Sequence, residues 1–130
     1  MRRLLEYARD LFDAVPVGIV AYDVSGECVS ANRAAVRILG RSFEQILTQN
    51  FRKDEGWAAS GLLGRAEETI STGQGRHVRA YLPTAGRRRS SLDCRFESFV
   101  SGGRHYLLYL IDDTSIARCR LGCELDDGYD

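Results

Sequence analysis

Apolar residues recur at helical spacing at the start of the chain. Leu4, Leu5, Ala8, Leu11 and Phe12 form one stripe within residues 3–14, the pattern of an amphipathic helix. Pro16 ends it, because the residue before a proline avoids the helical basin. From Val17 to Asp23 the residues are mostly β-branched or aromatic, which predicts a buried strand. Asp23 to Gly26 is a tight-turn sequence, with Asp at its first position and Gly at its fourth, and Glu27 to Ser30 returns as a second strand. Asn32 is placed to cap a short helix over 33–39 that Gly40 closes. Ser42 starts another over 43–47, with Gln45 completing a capping box. Residues 48–56 are polar and read as a loop or a single turn. Trp57 to Thr72 carries Trp57, Leu62, Leu63, Ala66 and Ile70 and predicts the longest helix after the first. Gly61 and Gly64 weaken that helix by about 1 kcal/mol each relative to Ala, and Gly73 and Gly75 stop it.

The last third changes period. Arg76 to Leu82 reads as a strand, and Pro83 to Gly86 turns the chain. From Ser91 to Val100 the alternation is clean, with Leu92, Cys94 and Phe96 on one side and Asp93, Arg95 and Glu97 on the other. That is a half-buried antiparallel strand. Ser101, Gly102 and Gly103 form a hairpin turn. Arg104 to Ile111 is nearly all apolar, so both of its faces need cover and it belongs near the centre of a sheet. Leu107, Tyr109 and Ile111 share one face; Tyr106, Leu108 and Leu110 share the other.

Composition narrows the function classes. The chain has 130 residues, enough for one core, and its 18 Lys and Arg cancel its 18 Asp and Glu. A domain built to hold nucleic acid carries a basic excess, which is missing here. The run Arg87–Arg89 reads as a solvated loop. No apolar run reaches the roughly 20 residues needed to span a bilayer, and the start is too charged for a signal peptide. Cys28 and Cys94 lie in strand-like runs and Cys119 and Cys123 in a tail. Their spacing makes no zinc knuckle, and a reduced, cytoplasmic chain is expected. There is no Ser elbow, HExxH or phosphate-cradling Gly loop, so the chain is expected to have no catalysis of its own.

Order and residues together resemble the PAS domain family. The run from Phe12 to Asn32 (FDAVPVGIVAYDVSGECVSAN) is similar to the family's opening hairpin and the Asn that begins its first short helix. Arg33 to Gly40 (RAAVRILG) followed by Ser42 is similar to the next segment. Leu108 to Thr114 (LYLIDDT) is similar to the end of the fifth strand and its Asp-x-Thr junction, although Asp113 stands where the family has an apolar residue. The resemblance covers residues 10–116. It implies an α+β fold: a five-stranded antiparallel sheet in the order 2-1-5-4-3, helices on one face, and here an N-terminal amphipathic helix. The division expected is an N-terminal helix (1–15), the domain proper (16–116) and a C-terminal linker or tail (117–130).

The resemblance also implies a role. Such domains are sensory or regulatory modules of bacterial signalling proteins, above all two-component sensor histidine kinases, and bind ligands between the sheet and the helices. Candidate lining residues are Phe51, Trp57, Leu62, His77, Arg79, Tyr81, Cys94, Phe96, Tyr106 and Leu108. The bland alternative is that they fill a core, making a ligand-free interaction or dimerisation module, or the regulatory domain of a transcriptional regulator. A small anionic ligand would want Arg79 in the cavity; Arg79 on the outer face, with Val78 and Ala80 inward, is the competing parity. Adduct-forming flavin sensors of the family carry a reactive Cys in an Asn-Cys-Arg run, whereas residues 49–52 read QNFR. Haem needs an axial His, and residues 57–72 have none; His77 and His105 make no natural metal pair. No cofactor and no metal are therefore expected. Asp112, Asp113 and Thr114 are the expected signal-relay junction, with 114–121 beginning an output helix whose effector lies outside this chain. The stripe of Leu4, Leu5, Ala8, Leu11 and Phe12 must be covered by the outer sheet face or a second copy, which predicts a homodimer. Neither nucleic acid nor membrane is expected as a partner, though the chain could be the cytoplasmic part of a membrane-bound sensor.

Overall fold

Local capping and turn chemistry sets the path of the chain in the computed structural model, which describes residues 2–82 and 90–113. Helix α1 (Arg2–Ala14) leads into strand β1 (Gly18–Asp23). The turn to β2 (Cys28–Ala31) is held by Asp23, whose Oδ1 accepts from the Ser25 and Glu27 amides at 3.0 and 3.1 Å. Helix α2 (Arg33–Leu39) is closed by Gly40 in the left-handed region. Helix α3 (Phe43–Leu47) starts with the full capping box of Ser42 and Gln45. A single 3-10 turn (Phe51–Lys53) precedes α4 (Glu55–Ser60) and α5 (Leu62–Thr72). The expected helix over 57–72 is therefore two helices. Asp54 caps the first, accepting from the Trp57 amide at 3.2 Å, and Gly61 with φ of 88° ends it. At that angle a glycine breaks the helix at no steric cost.

Strands β3 (Arg76–Leu82), β4 (Ser90–Ser101) and β5 (Arg104–Asp113) complete the chain. Gly102 and Gly103, with φ of 58° and 79°, join β4 to β5; two positive φ angles match the right-handed twist of the flanking strands. The sheet order is β2-β1-β5-β4-β3 with every pairing antiparallel. Strand β5 is central, as its apolar composition requires, pairing with β1 from Gly18↔Ile111 to Asp23↔Tyr106 and with β4 from Leu92↔Asp113 to Ser101↔Arg104. The turn at 83–86, Arg87–Arg89, Thr114, the segment 114–121, Cys119, Cys123 and the tail lie outside the described residues.

Helices α2 to α5 cover one face of the sheet. Val20, Tyr22, Leu92, Cys94, Phe96, Leu107, Tyr109 and Ile111 point into it and are buried with Ile46, Leu62 and Ala66 from the helices. Among the described residues the other face is left open, with Tyr106, Leu108 and Leu110 half-buried along β5. The apolar stripe of α1 is also uncovered: Leu4, Leu5, Tyr7 and Leu11 are 55–65% exposed.

One side chain fastens α1 to the sheet. Asn32 is completely buried. Its Oδ1 accepts from the Ile19 amide at 2.8 Å and caps α2 by accepting from the Ala35 amide at 3.0 Å. Its Nδ2 donates to the carbonyls of Phe12 and Val17, both at 3.0 Å. Asp13 adds a bond from the Arg33 amide at 3.0 Å. These backbone groups of α1, β1, α2 and the connection before β1, together with the Val15 carbonyl at 3.5 Å, thus depend on one amide. Removing it strands buried groups at about 1–3 kcal/mol each, so Asn32→Ala should lower stability by about 3 kcal/mol in urea denaturation. Asn32→Asp keeps the acceptor but turns a carboxylate toward two carbonyls, and should cost at least as much. Full stability of the Asp variant would show that the donor half contributes nothing.

Candidate functional site

The space between the sheet and the helices is occupied chiefly by aromatic rings. Phe51 and Trp57 stack at 4.9 Å between centroids, and Phe96 and Tyr109 at 5.1 Å. Tyr22 meets Phe51 edge-on at 5.1 Å, and Trp57 meets Tyr109 edge-on at 4.9 Å. Such offset and edge contacts add to the burial of apolar area. The cluster draws one ring from β1, one from the 3-10 turn, one from α4, one from β4 and one from β5. It therefore locks the helical layer to the centre of the sheet.

A cleft of about 150 Å³ remains at the edge of this cluster, lined by Tyr22, Leu39, Arg41, Gln49, Asp54, Gly56, Trp57 and Tyr109. Its polar wall is a relay of hydrogen bonds. The Tyr22 hydroxyl donates to Gln49 Oε1 at 2.9 Å, and Gln49 Nε2 donates to Asp54 Oδ2 at 2.8 Å. The Tyr109 hydroxyl lies 3.5 Å from Cys94 Sγ. Burial, with smaller contributions from neighbouring Cys and Asp groups, pushes the Tyr22 and Tyr109 hydroxyls well above the usual range. Burial likewise pushes the Cys28 and Cys94 thiols up to about 11. These thiols stay protonated at neutral pH and are poor nucleophiles, and both are free.

The expected lining set divides. Phe51, Trp57, Leu62, Cys94 and Phe96 do point into the core, yet only Trp57 borders the cleft. His77, Arg79 and Tyr81 do not: they are exposed on the open face, where His77 Nε2 contacts Asp93 Oδ1, while Ala80 is buried and Val78 packs on the core. The parity of β3 is set by its register, which places Val78 opposite Cys94 and Ala80 opposite Leu92. Tyr106 and Leu108 are likewise on the open face, and Leu107, Tyr109 and Ile111 are the inward residues of β5. Five of the ten expected lining residues are thus on the open face, and four more are packed in the core away from the cleft. Asp112 is exposed and lies opposite Asp93 in the sheet, and Asp113 pairs with Leu92.

The cleft residues missed by periodicity are Tyr22, Leu39, Arg41, Gln49, Asp54, Gly56 and Tyr109. Asp54 carried a readable signal, since it stands three residues before Trp57 as a cap should. Gln49 and Arg41 did not, because polar loop residues look alike until the loop is folded. Among the described residues no group of three or more His, Cys, Asp or Glu could hold a metal ion. None of their helices is long and apolar enough to cross a membrane.

A second hollow, open and about 930 Å³, runs beneath α1 and is lined by Ala8, Phe12, Val29, Val36, Phe43 and Leu47 among others. It extends the apolar surface of α1 toward β2 and α3.

Comparison with known proteins agrees with this architecture. A family model described as PAS domain matches residues 6–73. Among solved structures, a PAS domain of BvgS from Bordetella pertussis superposes with a TM-score of 0.66 at 19% identity, covering 97% of this chain and 96% of that one. A domain of a sensory box sensor histidine kinase/response regulator from Geobacter sulfurreducens gives 0.67 at 17% identity, covering 85% and 94%. The PAS domain of nitrogen regulation protein NR(II) from Vibrio parahaemolyticus gives 0.65 at 15% identity, covering 82% and 96%. No curated protein matches.

The buried acids fix the alkaline limit of stability. Groups whose folded pKa is raised release their protons first in the unfolded chain, so their contribution is complete at low pH and lost as pH rises. For Cys94 that loss runs from the ordinary value of 9.0 up to about 11; for Tyr22 and Tyr109 it begins above 10.0. Unfolding free energy should therefore be level near neutrality and fall from about pH 9 upward. Tyr109→Phe should make the fall shallower, and an unchanged slope in that variant would refute the assignment.

Proposed function

Because the chain belongs to the PAS domain family, we propose that it is a sensory or regulatory module of a bacterial signal-transduction protein, with a two-component sensor histidine kinase as the parent it fits best. The observation that carries this reading is the position of β5. Tyr109 of that strand borders the cleft on the inner face, while Tyr106, Leu108 and Leu110 present an open, half-buried outer face. A change at the cleft is thereby one strand away from a surface able to dock a second body. Strand β5 ends at Asp113, leading into the Asp112–Thr114 junction proposed as the relay. Relay, not catalysis, is the task assigned to this chain. Among the described residues the half-buried Cys28 and the buried Cys94 are free thiols, which fits a reducing, cytoplasmic setting.

The aromatic filling bears on what can be sensed. Drug-sized ligands and organic cofactors occupy pockets of roughly 300–1,000 Å³, and the enclosed space beside Trp57 is about 150 Å³. That volume argues against flavin or haem and for a small molecule. Purified protein should show no absorption band beyond that of its aromatic residues, and a visible chromophore that stays with the folded chain would reverse this reading.

The module is proposed to act as a homodimer. The exposed stripe of Leu4, Leu5 and Leu11 would be covered by its counterpart and by the open sheet face of a second copy. Helix α1 is rigidly tied to the sheet through Asn32, so a partner on α1 senses the core. Leu4→Asp combined with Leu11→Asp should convert a dimer to a monomer in sedimentation without loss of helical content. A dimer that survives both changes would place the interface elsewhere.

The relay is tested by exchanging residues 1–130 for the PAS domain of a two-component kinase. Tyr109→Leu should change autophosphorylation of the chimera severalfold. Equal activity with Tyr109 and Leu at that position would remove the relay through β5.

A further inference from the structure

The cleft beside Trp57 carries two opposite charges that do not neutralise each other. Arg41 reaches it from the connection between α2 and α3, and Asp54 from the start of α4. Arg41 has no hydrogen bond or ion pair among the described residues. Asp54 accepts from the Trp57 amide and from Gln49 Nε2 but has no cationic partner. A carboxylate has about four acceptor sites, so two such bonds leave capacity for a third. Trp57 and Tyr109, which are 4% and 2% exposed, line the same cleft. A wall of that kind excludes water and strengthens any charge interaction made against it.

From this arrangement we propose that the cleft binds a free α-amino acid with a small side chain, its carboxylate on Arg41 and its ammonium on Asp54. The inference rests on the sensory reading of the module and deepens it by naming the class of ligand. Size supports the choice: a cavity of about 150 Å³ holds a molecule of about six heavy atoms, and glycine, alanine and serine fall at or next to that number. Charge supports it more strongly. A guanidinium fork matches a carboxylate with two parallel bonds, while Asp54, held in place by its cap and by Gln49, offers a fixed acceptor for an ammonium. A lone carboxylic acid would satisfy Arg41 and leave Asp54 facing an apolar group; a lone amine would do the reverse. Only a molecule with both ends engages both groups, and the half-buried Asp54 carries more of the specificity, because the exposed Arg41 stays hydrated when unpaired. Leu39 and Gly56 line the remaining wall, where a methyl or hydroxymethyl group fits and a long side chain does not.

Trp57 is the one tryptophan of the sequence, so its fluorescence reports the cleft directly. Titration of the full chain with glycine, alanine and serine should give a saturable change with a dissociation constant below about 1 mM, confirmed by calorimetry. Acetate and methylamine, each carrying one half of the recognition, should bind at least about tenfold more weakly. Arg41→Gln and Asp54→Asn should each weaken the best amino acid by about tenfold or more. Asn still caps a helix, so the second variant removes charge while keeping α4, and an unchanged melting temperature in both variants separates lost recognition from lost folding. Absence of saturable binding by all three amino acids up to about 10 mM, or equal binding by wild type and both variants, would overturn the ligand assignment and leave the signalling role standing. Binding that meets every criterion but leaves amide exchange along β5 unchanged would support the site and remove the sensory reading.

Discussion

The packing of Trp57 against Tyr109 is the contact on which the rest of the molecule turns. A five-stranded sheet covered by helices as short as α2, α3 and α4 leaves a layer deeper than short aliphatic side chains fill. The chain answers with Tyr22, Phe51, Trp57, Phe96 and Tyr109, rings large enough to reach from one layer to the other. Protein interiors tolerate few voids larger than a water molecule, so where these rings stop, the leftover space becomes the candidate site. The cleft lies there because Gly56 and the polar residues Gln49 and Asp54 replace a sixth ring. Core packing and candidate recognition are consequently one arrangement: Trp57 and Tyr109 are at once the most central contact of the core and the wall of the cleft.

A second constraint acts at the other side of the sheet. The side-chain bonds of Asn32 satisfy backbone groups that no secondary structure pairs, and buried groups of that kind have to find partners. The result is a rigid joint between α1 and β1. An exposed amphipathic helix of 13 residues is marginal alone, and its apolar stripe does not pack on its own domain. The joint gives that stripe a fixed direction, which is what a protein-docking element requires. Helix α1 and strand β5 each carry apolar surface that no described residue covers.

Much of this was legible in the sequence, and the division between legible and hidden has a physical cause. Caps and turns are local: Asn32, Ser42 with Gln45, Gly40 and the Gly102–Gly103 pair each declare an element within a few residues, and all stand where they were read. The central place of β5 was legible because a strand apolar on both sides has nowhere else to go. Which face of β5 meets the helices was not. Tyr106, Leu108 and Leu110 are as apolar as Leu107, Tyr109 and Ile111, and a shift of one residue exchanges the faces. The answer is carried by register with β1 and β4, where Tyr109 pairs with Val20 and Phe96, and no property of β5 alone reveals it. The same ambiguity holds for β3, where His77, Arg79 and Tyr81 share one face and Val78 and Ala80 the other, and the register with β4 decides between them. The break at Gly61 was visible as a weak helix former, yet a propensity cost of about 1 kcal/mol does not distinguish a strained helix from two.

For the switching proposed above, these two surfaces also bound its strength. A ligand shifts a two-state equilibrium only by its difference in affinity for the two states. Reversing a 1:99 population to 99:1 needs a discrimination of about 10⁴, or roughly 5.5 kcal/mol. A cleft of this size, with two charges and an aromatic wall, makes a few charge-assisted bonds, each contributing about 1.5–3 kcal/mol. Even if only one state made all of them, little would be left over. The ground state must then already lie near balance, and the unpartnered surfaces of α1 and β5 are where that balance can be set. Under the proposed function, covering α1 and the open face of the sheet in an assembly would adjust the resting population, and the cleft would need only to tip it. A tightly filled aromatic core suits this division, because a well-packed interior responds to a small local change by moving as a unit. Tyr109, shared by the cleft, the cluster and the central strand, is where such a displacement would leave the core.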